Sequence, residues 1–236
     1  MKTTLVKYLI TGALMLNIAF LQAQEVQTKK GTLAIYFGFT SVGPARQMSE
    51  LMKTYHFDET TENWLFGGAT EHPHYDPVGY TGAISYSYPL TTKSELGLNA
   101  RYAYLQEVAG SSEVGGLMFV QFSNFSLIPF YTFHINKIID LQAGPALMIN
   151  NGDKTSDYEE SDDNYTRISP GAMAGIDFNI WNGKATTGKL EINYLLTVPQ
   201  KMGPYSSKTY IELATIPESK IGFSYLSVTF GVGIHL

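Results

Sequence analysis

The last eleven residues, LSVTFGVGIHL at 226–236, alternate strictly between large apolar side chains and small or polar ones. The apolar residues occupy every even position: Leu226, Val228, Phe230, Val232, Ile234 and Leu236. Successive side chains of a β-strand point to opposite faces, so this stretch predicts a strand with one apolar and one polar face.

The same alternation recurs along the chain. It is found at 32–39, 78–88, 95–104, 125–135, 139–149, 168–180 and 190–198. With the last strand this makes about eight strands, each long enough for a tilted membrane span of about 9–11 residues. The fold class predicted is therefore all-β, with antiparallel strands.

The connections between these strands alternate in length. Turns at 89–94, 136–137 and 181–187 are short, whereas the segments 41–77, 106–123, 151–165 and 199–220 are long. Short turns at one end and long loops at the other are typical of a closed transmembrane barrel, whose long loops lie outside the cell.

Composition separates this interpretation from a helical membrane protein and from an ordinary soluble domain. The mean hydropathy is −0.06, and only 16% of residues are charged, against about 25% in soluble domains. The predicted small faces carry polar groups: Glu95, Asn99, Arg101, Asp140, Gln142, Asp177, Asn179, Glu191 and Asn193. A membrane barrel would turn these inward, and a lipocalin-like barrel or a sandwich would turn them to water.

The first 23 residues predict a cleaved secretory leader. Lys2 and Lys7 precede an apolar stretch at 8–21, and Ala23 provides a small residue for cleavage. The alternative is an uncleaved anchor helix, although this stretch is short for a span. We expect a signal peptide at 1–23 and a barrel domain at 24–236, located in the outer membrane after export.

Two stretches resemble a known family. SLIPFYTFHINKIIDLQAGPALMI at 126–149 resembles the central hairpin of the outer-membrane β-barrel domain proteins, the small OmpA/OmpX-like and PorT-like group. The terminal LSVTFGVGIHL resembles their last strand, although the chain ends in Leu236 where the family usually has Phe, and its first loop is unusually long. The resemblance implies recognition by the barrel-assembly machinery and contact with outer-membrane lipids. Its members include adhesins, structural proteins, lipid A enzymes and secretion accessories, so it does not select an activity.

The first long loop contains a predicted helix at 44–55. Pro44 suits the first helical position, and Met48, Leu51, Met52 and Tyr55 share one face. Two interpretations are open. The helix caps the mouth of the barrel, or it presents an apolar surface to a partner or to the outer leaflet.

Candidate ligand sites are weak. His72, His74 and Asp76 lie close together in EHPHYD, but nothing there specifies a metal geometry. The acidic run at 151–164, NGDKTSDYEESDDN, lacks the ligand spacing of an EF-hand loop and predicts a solvated loop that meets other anions through divalent cations. With no cysteine, thiolate catalysis and Cys-ligated zinc are excluded. We predict no metal, cofactor or catalytic residue.

Function is therefore predicted only broadly. No histidine stands two residues before a serine, as in a barrel-type lipid A deacylase, and no basic patch indicates nucleic acid. The sequence favours a non-enzymatic, porin-like surface barrel whose loops bind an unidentified partner, adhere or shield. The alternatives are a barrel enzyme acting on lipid A or phospholipid, and a small channel or secretion accessory.

Overall fold

A computed structural model of the chain describes residues 31–41, 43–63, 68–112, 116–156, 163–208 and 213–236. The predicted leader at 1–23 lies outside these residues. Eight long strands are present: β1 Thr32–Ser41, β5 Val78–Thr91, β6 Ser94–Ser112, β7 Gly116–His134, β8 Ile139–Ser156, β9 Asp163–Asn182, β10 Thr186–Thr197 and β15 Tyr225–His235. Shorter elements lie between them: α1 Ala45–Thr54, β2 Thr61–Asn63, β3 Gly68–Thr70, β4 His74–Tyr75, β11 Gln200–Met202, β12 Tyr205–Lys208, β13 Leu213–Ile216 and β14 Ser219–Ile221.

The eight long strands form a closed antiparallel ring. Each pairs with the next along the chain, and β1 also pairs with β15, from Thr32 opposite His235 to Ser41 opposite Leu226. Closure leaves no edge among the eight strands, which is what a membrane requires, because lipid cannot hydrogen-bond a free backbone. The predicted all-β barrel of eight strands is confirmed.

Side chains alternate between lipid and lumen along the membrane part of each strand. On β15, Val228, Phe230 and Val232 are exposed on the outside, whereas Ser227 and Thr229 are buried inside. The inward glycines of β15 have a steric role: a Cβ at Gly231 would lie 2.1 Å from the Tyr36 ring. The small inward face of the last strand therefore makes room for an aromatic ring in the lumen.

Four strands continue far beyond the membrane. β6, β7, β8 and β9 have 19, 19, 18 and 20 residues, about twice what a span needs. The prediction of long loops at 106–123 and 151–165 was therefore wrong, because most of both segments is paired strand. The physical reason is that antiparallel strands pair in water as well as in lipid, provided that one face is buried.

The other two long segments carry the remaining elements. The first contains α1 and the β2–β3 pair, and the segment before β15 contains the β11–β14 and β12–β13 pairs. The predicted helix at 44–55 is confirmed as α1, directly after Pro44. No helix among the described residues is long and apolar enough to cross a membrane.

Candidate functional site

An ion pair crosses the middle of the lumen. Arg101 on β6 donates to Glu191 on β10, with 3.0 Å between Nη2 and Oε2, and to the Ser227 hydroxyl at 2.7 Å. Both ionic side chains are buried. Because β6 and β10 are four positions apart in the eight-strand ring, they face each other across the lumen. This pair therefore joins opposite walls of the barrel.

Four acids lie on the strand faces predicted to point inward, and the structure shows which of them pairs with Arg101. Glu191 is the partner, and it also accepts from Asn193 at 3.1 Å and from Thr229 at 3.1 Å. The other three acids, Glu95, Asp140 and Asp177, belong to a second cluster nearer the short turns. The alternation of side chains could not show which of the four acids pairs with Arg101, because it gives the face of the strand to which a residue points and not the residue opposite it across the lumen.

The second cluster is centred on Asp140. Its carboxylate lies 2.7 Å from Nδ1 of His134 and 3.3 Å from Nζ of Lys189. His134 also contacts Glu95, with 3.3 Å between Nε2 and Oε1, and Lys189 lies 3.7 Å from Asp177. Each ring nitrogen of His134 thus has a carboxylate partner, which leaves neither free to serve as a general base.

The sequence interpretation did not include His134 and Lys189 among the inward residues. The alternation does place both residues inward, because each is two positions from an inward polar residue on the same strand: His134 from Thr132, and Lys189 from Glu191. Inward charged residues near the end of a strand therefore follow the same alternation as those in its middle. The predicted inward residues Gln142 and Asn179 also join the cluster, through hydrogen bonds to Asp177 and Asp140 respectively.

Beyond the Arg101 level large apolar side chains enter the interior, beside buried polar ones such as Asn150 and Lys154. The buried side chains of the extended strands include Leu105, Val108, Met118, Val120, Phe122 and Met148. Phe122 packs edge-on against Phe223, which precedes β15, at a centroid distance of 5.7 Å. The polar inward residues predicted from the sequence all lie in the other half, at or below the Arg101 level. Outside the membrane the strands follow the rule of a soluble protein, with the apolar face inward.

The helix in the first loop belongs to this apolar core. Met48 and Met52 are fully buried in it, whereas Tyr55 is 38% exposed. A Cβ at Gly110 of β6 would lie 2.7 Å from the Met52 sulfur, so the helix packs directly on the strand extension. Of the two interpretations of α1, the capping role is the one that this packing supports.

The histidine group in the first loop is held by its own neighbourhood. His72 contacts the Thr61 hydroxyl at 3.0 Å and the Ala109 carbonyl at 3.3 Å, and His74 is part of β4, which pairs with β6. No group of three His, Asp or Glu side chains suited to a metal is found in the described part of the chain. The contacts of His72 thus explain this loop histidine structurally.

The described ends of the acidic segment are ordered by a buried lysine. Lys154 on β8 pairs with Asp163 on β9 at 3.3 Å and donates to the Ser206 carbonyl of β12 at 2.7 Å. The solvated loop predicted at 151–164 is wrong for 151–156 and 163–164, which are paired strand, and its remaining residues, 157–162, lie outside the described residues. Lys154 therefore joins the strand extension to the β12–β13 hairpin.

Two titratable groups of the extracellular hairpins have altered pKa values. Burial raises the pKa of the Tyr205 hydroxyl at the start of β12, and the neighbouring Tyr165 and Asp153 raise this pKa further. The ammonium of Lys201, 2.7 Å from Glu218, lowers the pKa of that exposed carboxyl. Neither group has a partner arrangement that would serve acid–base chemistry.

The outer surface decides the environment of the barrel. A belt of exposed apolar side chains surrounds its membrane part: Leu33, Ile35, Phe37, Ile84, Leu127, Leu147, Ile176, Ile192, Val228 and Val232. Exposed aromatic side chains lie at both borders of the belt, with Tyr86, Phe133 and Trp181 near the short turns and Phe39, Tyr80 and Phe125 at the opposite end. An apolar belt between aromatic rings, around a closed ring of strands, fits a lipid bilayer. The chain folds as a small outer-membrane β-barrel. The soluble alternative is thereby excluded.

No family model and no curated protein matches the barrel. Among solved structures it is similar to Ail, the attachment invasion locus protein of Yersinia pestis, at 13% identity, a TM-score of 0.41, and coverage of 88% of this chain and 99% of Ail. It is also similar to the outer membrane protein OprG from Pseudomonas aeruginosa, at 16% identity, a TM-score of 0.47, and coverage of 88% of this chain and 98% of OprG. The outer membrane protease OmpT from Escherichia coli matches at 9% identity, a TM-score of 0.41, and coverage of 89% of this chain and 98% of OmpT. These likenesses concern fold alone and select no function.

The closed lumen gives a first testable expectation. The Arg101–Glu191 pair spans the middle, and the apolar core around Phe122 fills the extracellular half. Eight strands enclose an interior only wide enough for side chains to fill. We therefore expect purified wild-type protein in planar bilayers to show no large, stable conductance, where a general porin in the same set-up does. Steady porin-sized openings would contradict a closed lumen.

Proposed function

We propose that this outer-membrane barrel is a non-enzymatic surface protein that uses its extracellular half as a rigid binding platform, for adhesion or shielding. The observation that carries the proposal is the continuous apolar core of that half, which unites the extended strands with α1 and the hairpins. A merely connecting loop needs no such core. A preorganised surface loses little conformational entropy when it binds.

The charge of the platform indicates what it would meet. The four segments outside the belt, 40–77, 105–124, 150–167 and 199–225, carry sixteen Asp and Glu against seven Lys and Arg. The resulting charge of −9 favours cationic surfaces, or anionic ones bridged by divalent cations. Direct contact with polyanions is disfavoured.

Cell adhesion with a trimmed platform tests this proposal. The variant replaces 199–221, which includes the β11–β14 and β12–β13 pairs, with a short Gly-Ser linker. That segment carries three Lys and two Glu, so the trimmed platform is more acidic than the wild type. We expect cells displaying wild-type protein to be retained on a polylysine-coated surface, and cells with the trimmed variant to fall to background.

The charge change makes the experiment decisive. Retention by charge alone would persist or increase in the trimmed variant, which would contradict a platform that depends on its folded surface. A gel-mobility shift on boiling must show that the trimmed barrel is folded. Unchanged lipid A and phospholipid spectra from the same cells are also expected, and a change in acyl chains or phosphates would favour the enzyme alternative instead.

A further inference from the structure

A cavity of about 400 Å³ occupies the lumen on the side of the short turns. It opens between the turns that follow β5 and β7, and it lies below the Arg101 level. Its lining includes four basic residues, with Lys93 and Lys137 at the mouth and Lys189 and His134 deeper inside. Two carboxylates, Glu95 and Asp140, also line it; both contact His134, and Asp140 also pairs with Lys189. A concave chamber in which a few polar groups converge can hold a small ligand.

The two lysines at the mouth lie at the same end of the β6–β7 strand pair, in the turns that flank it. Lys93 directly precedes β6, and its carbonyl accepts from the backbone N–H of His134 at the end of β7. Lys137 lies in the turn after β7. Both side chains are exposed, and neither forms an ion pair with any other described residue. Their charges are thus available to a ligand, in contrast to Lys189, which Asp140 and Asp177 already neutralise.

A second observation points into the cavity. The Thr132 hydroxyl, on a residue only 1% exposed, lines the chamber and has no hydrogen-bond partner among the described residues. Buried hydroxyls without a partner are rare, because each costs free energy unless something satisfies it. Thr132 lies between Glu95 and Gln142 in the strand register, on the wall of the lumen and deeper inside than the two lysines.

From this geometry we infer that the periplasmic mouth of the barrel is a binding site for a phosphate-bearing anion. Lys93 and Lys137 attract and hold the phosphate, and the Thr132 hydroxyl donates to the buried end of the ligand. Phosphate is favoured over a carboxylate because several oxygens can be shared between two lysines and a hydroxyl. The phosphate belongs either to a soluble compound or to the headgroup of a lipid in the adjacent leaflet. This site is independent of the extracellular platform.

The third turn supplies a matched control. Lys184 is exposed in the turn between β9 and β10 and does not line the cavity. Lys93→Gln, Lys137→Gln and Lys184→Gln each remove one positive charge from the same end of the barrel. We expect titration calorimetry with inorganic phosphate, in maltoside detergent, to show binding weakened about fivefold to tenfold by the first two substitutions, and hardly changed by Lys184→Gln. Equal losses in all three would overturn the site, because they would indicate general charge attraction.

Thr132→Val separates binding from stability. It keeps the shape of the side chain and removes a hydroxyl without a protein partner, so the unfolding temperature should not fall while phosphate binding weakens. A parallel arm measures the unfolding temperature in phosphatidylcholine vesicles with and without phosphatidylglycerol. Phosphate binding identifies a soluble source, and a Lys93- and Lys137-dependent rise with phosphatidylglycerol alone identifies a lipid headgroup. No response in either arm, or unchanged phosphate binding in Thr132→Val, would refute the inference.

Discussion

Replacing Arg101 with methionine is expected to lower the free energy of unfolding of the barrel by about 3–5 kcal/mol. The guanidinium is fully buried and bonds to Glu191 and Ser227 across the lumen. Methionine fills a similar volume but leaves the Glu191 carboxylate buried without its cation. An unpaired buried charge costs far more than the pair itself contributes.

A double-mutant cycle measures this effect. Urea unfolding in lipid vesicles gives the free energy for Arg101→Met, Glu191→Gln and the double variant. We expect the double variant to recover most of the loss, because it leaves no unpaired charge at that level. Arg167→Met is the control, since the partners of Arg167 within the described part of the chain are the carbonyls of Lys201 and Thr166, outside the belt. A wild-type stability for Arg101→Met, or additive losses in the double variant, would contradict the role of the pair.

Deleting residues 227–236 is expected to abolish recovery of folded protein from the outer membrane. The deletion removes nearly all of β15, which pairs with β1 on one side and β10 on the other. Both neighbours would become open edges in the hydrocarbon layer, where each unpaired backbone group costs several kcal/mol. The same strand is the proposed contact with the barrel-assembly machinery.

A deletion elsewhere shows whether the effect is specific to the ring. Removing 205–216, which spans the β12–β13 hairpin, takes out more residues but leaves the eight strands paired. We expect this variant to reach the outer membrane and to keep its heat-dependent gel shift. Outer-membrane fractions compared before and after boiling provide the measurement. Normal amounts of folded protein without residues 227–236 would refute the requirement for β15.

The alternation of side chains was sufficient to predict all eight membrane strands, the apolar belt and the inward set that contains Arg101 and Glu191. This worked because the environment of a membrane strand is fixed on both faces, lipid outside and packed lumen inside. The pattern was insufficient beyond the membrane. A bulge at Tyr104–Gln106 shifts the register there, and large apolar side chains such as Met118 and Phe122 turn inward, so the alternation predicts a loop where the strands continue at 106–112 and 116–123.

Side-chain periodicity alone predicts which residues form the membrane part of the eight strands, which of their faces meets lipid, and that a helix follows the first strand. The folded barrel was needed to show that Arg101 pairs with Glu191, that His134 and Lys189 share Asp140, and that Lys93 and Lys137 border one cavity. The physical reason is that periodicity is a property of one strand. Contacts across a lumen depend on the register of every strand around the closed ring, and a shift by one residue anywhere in it would change those partners.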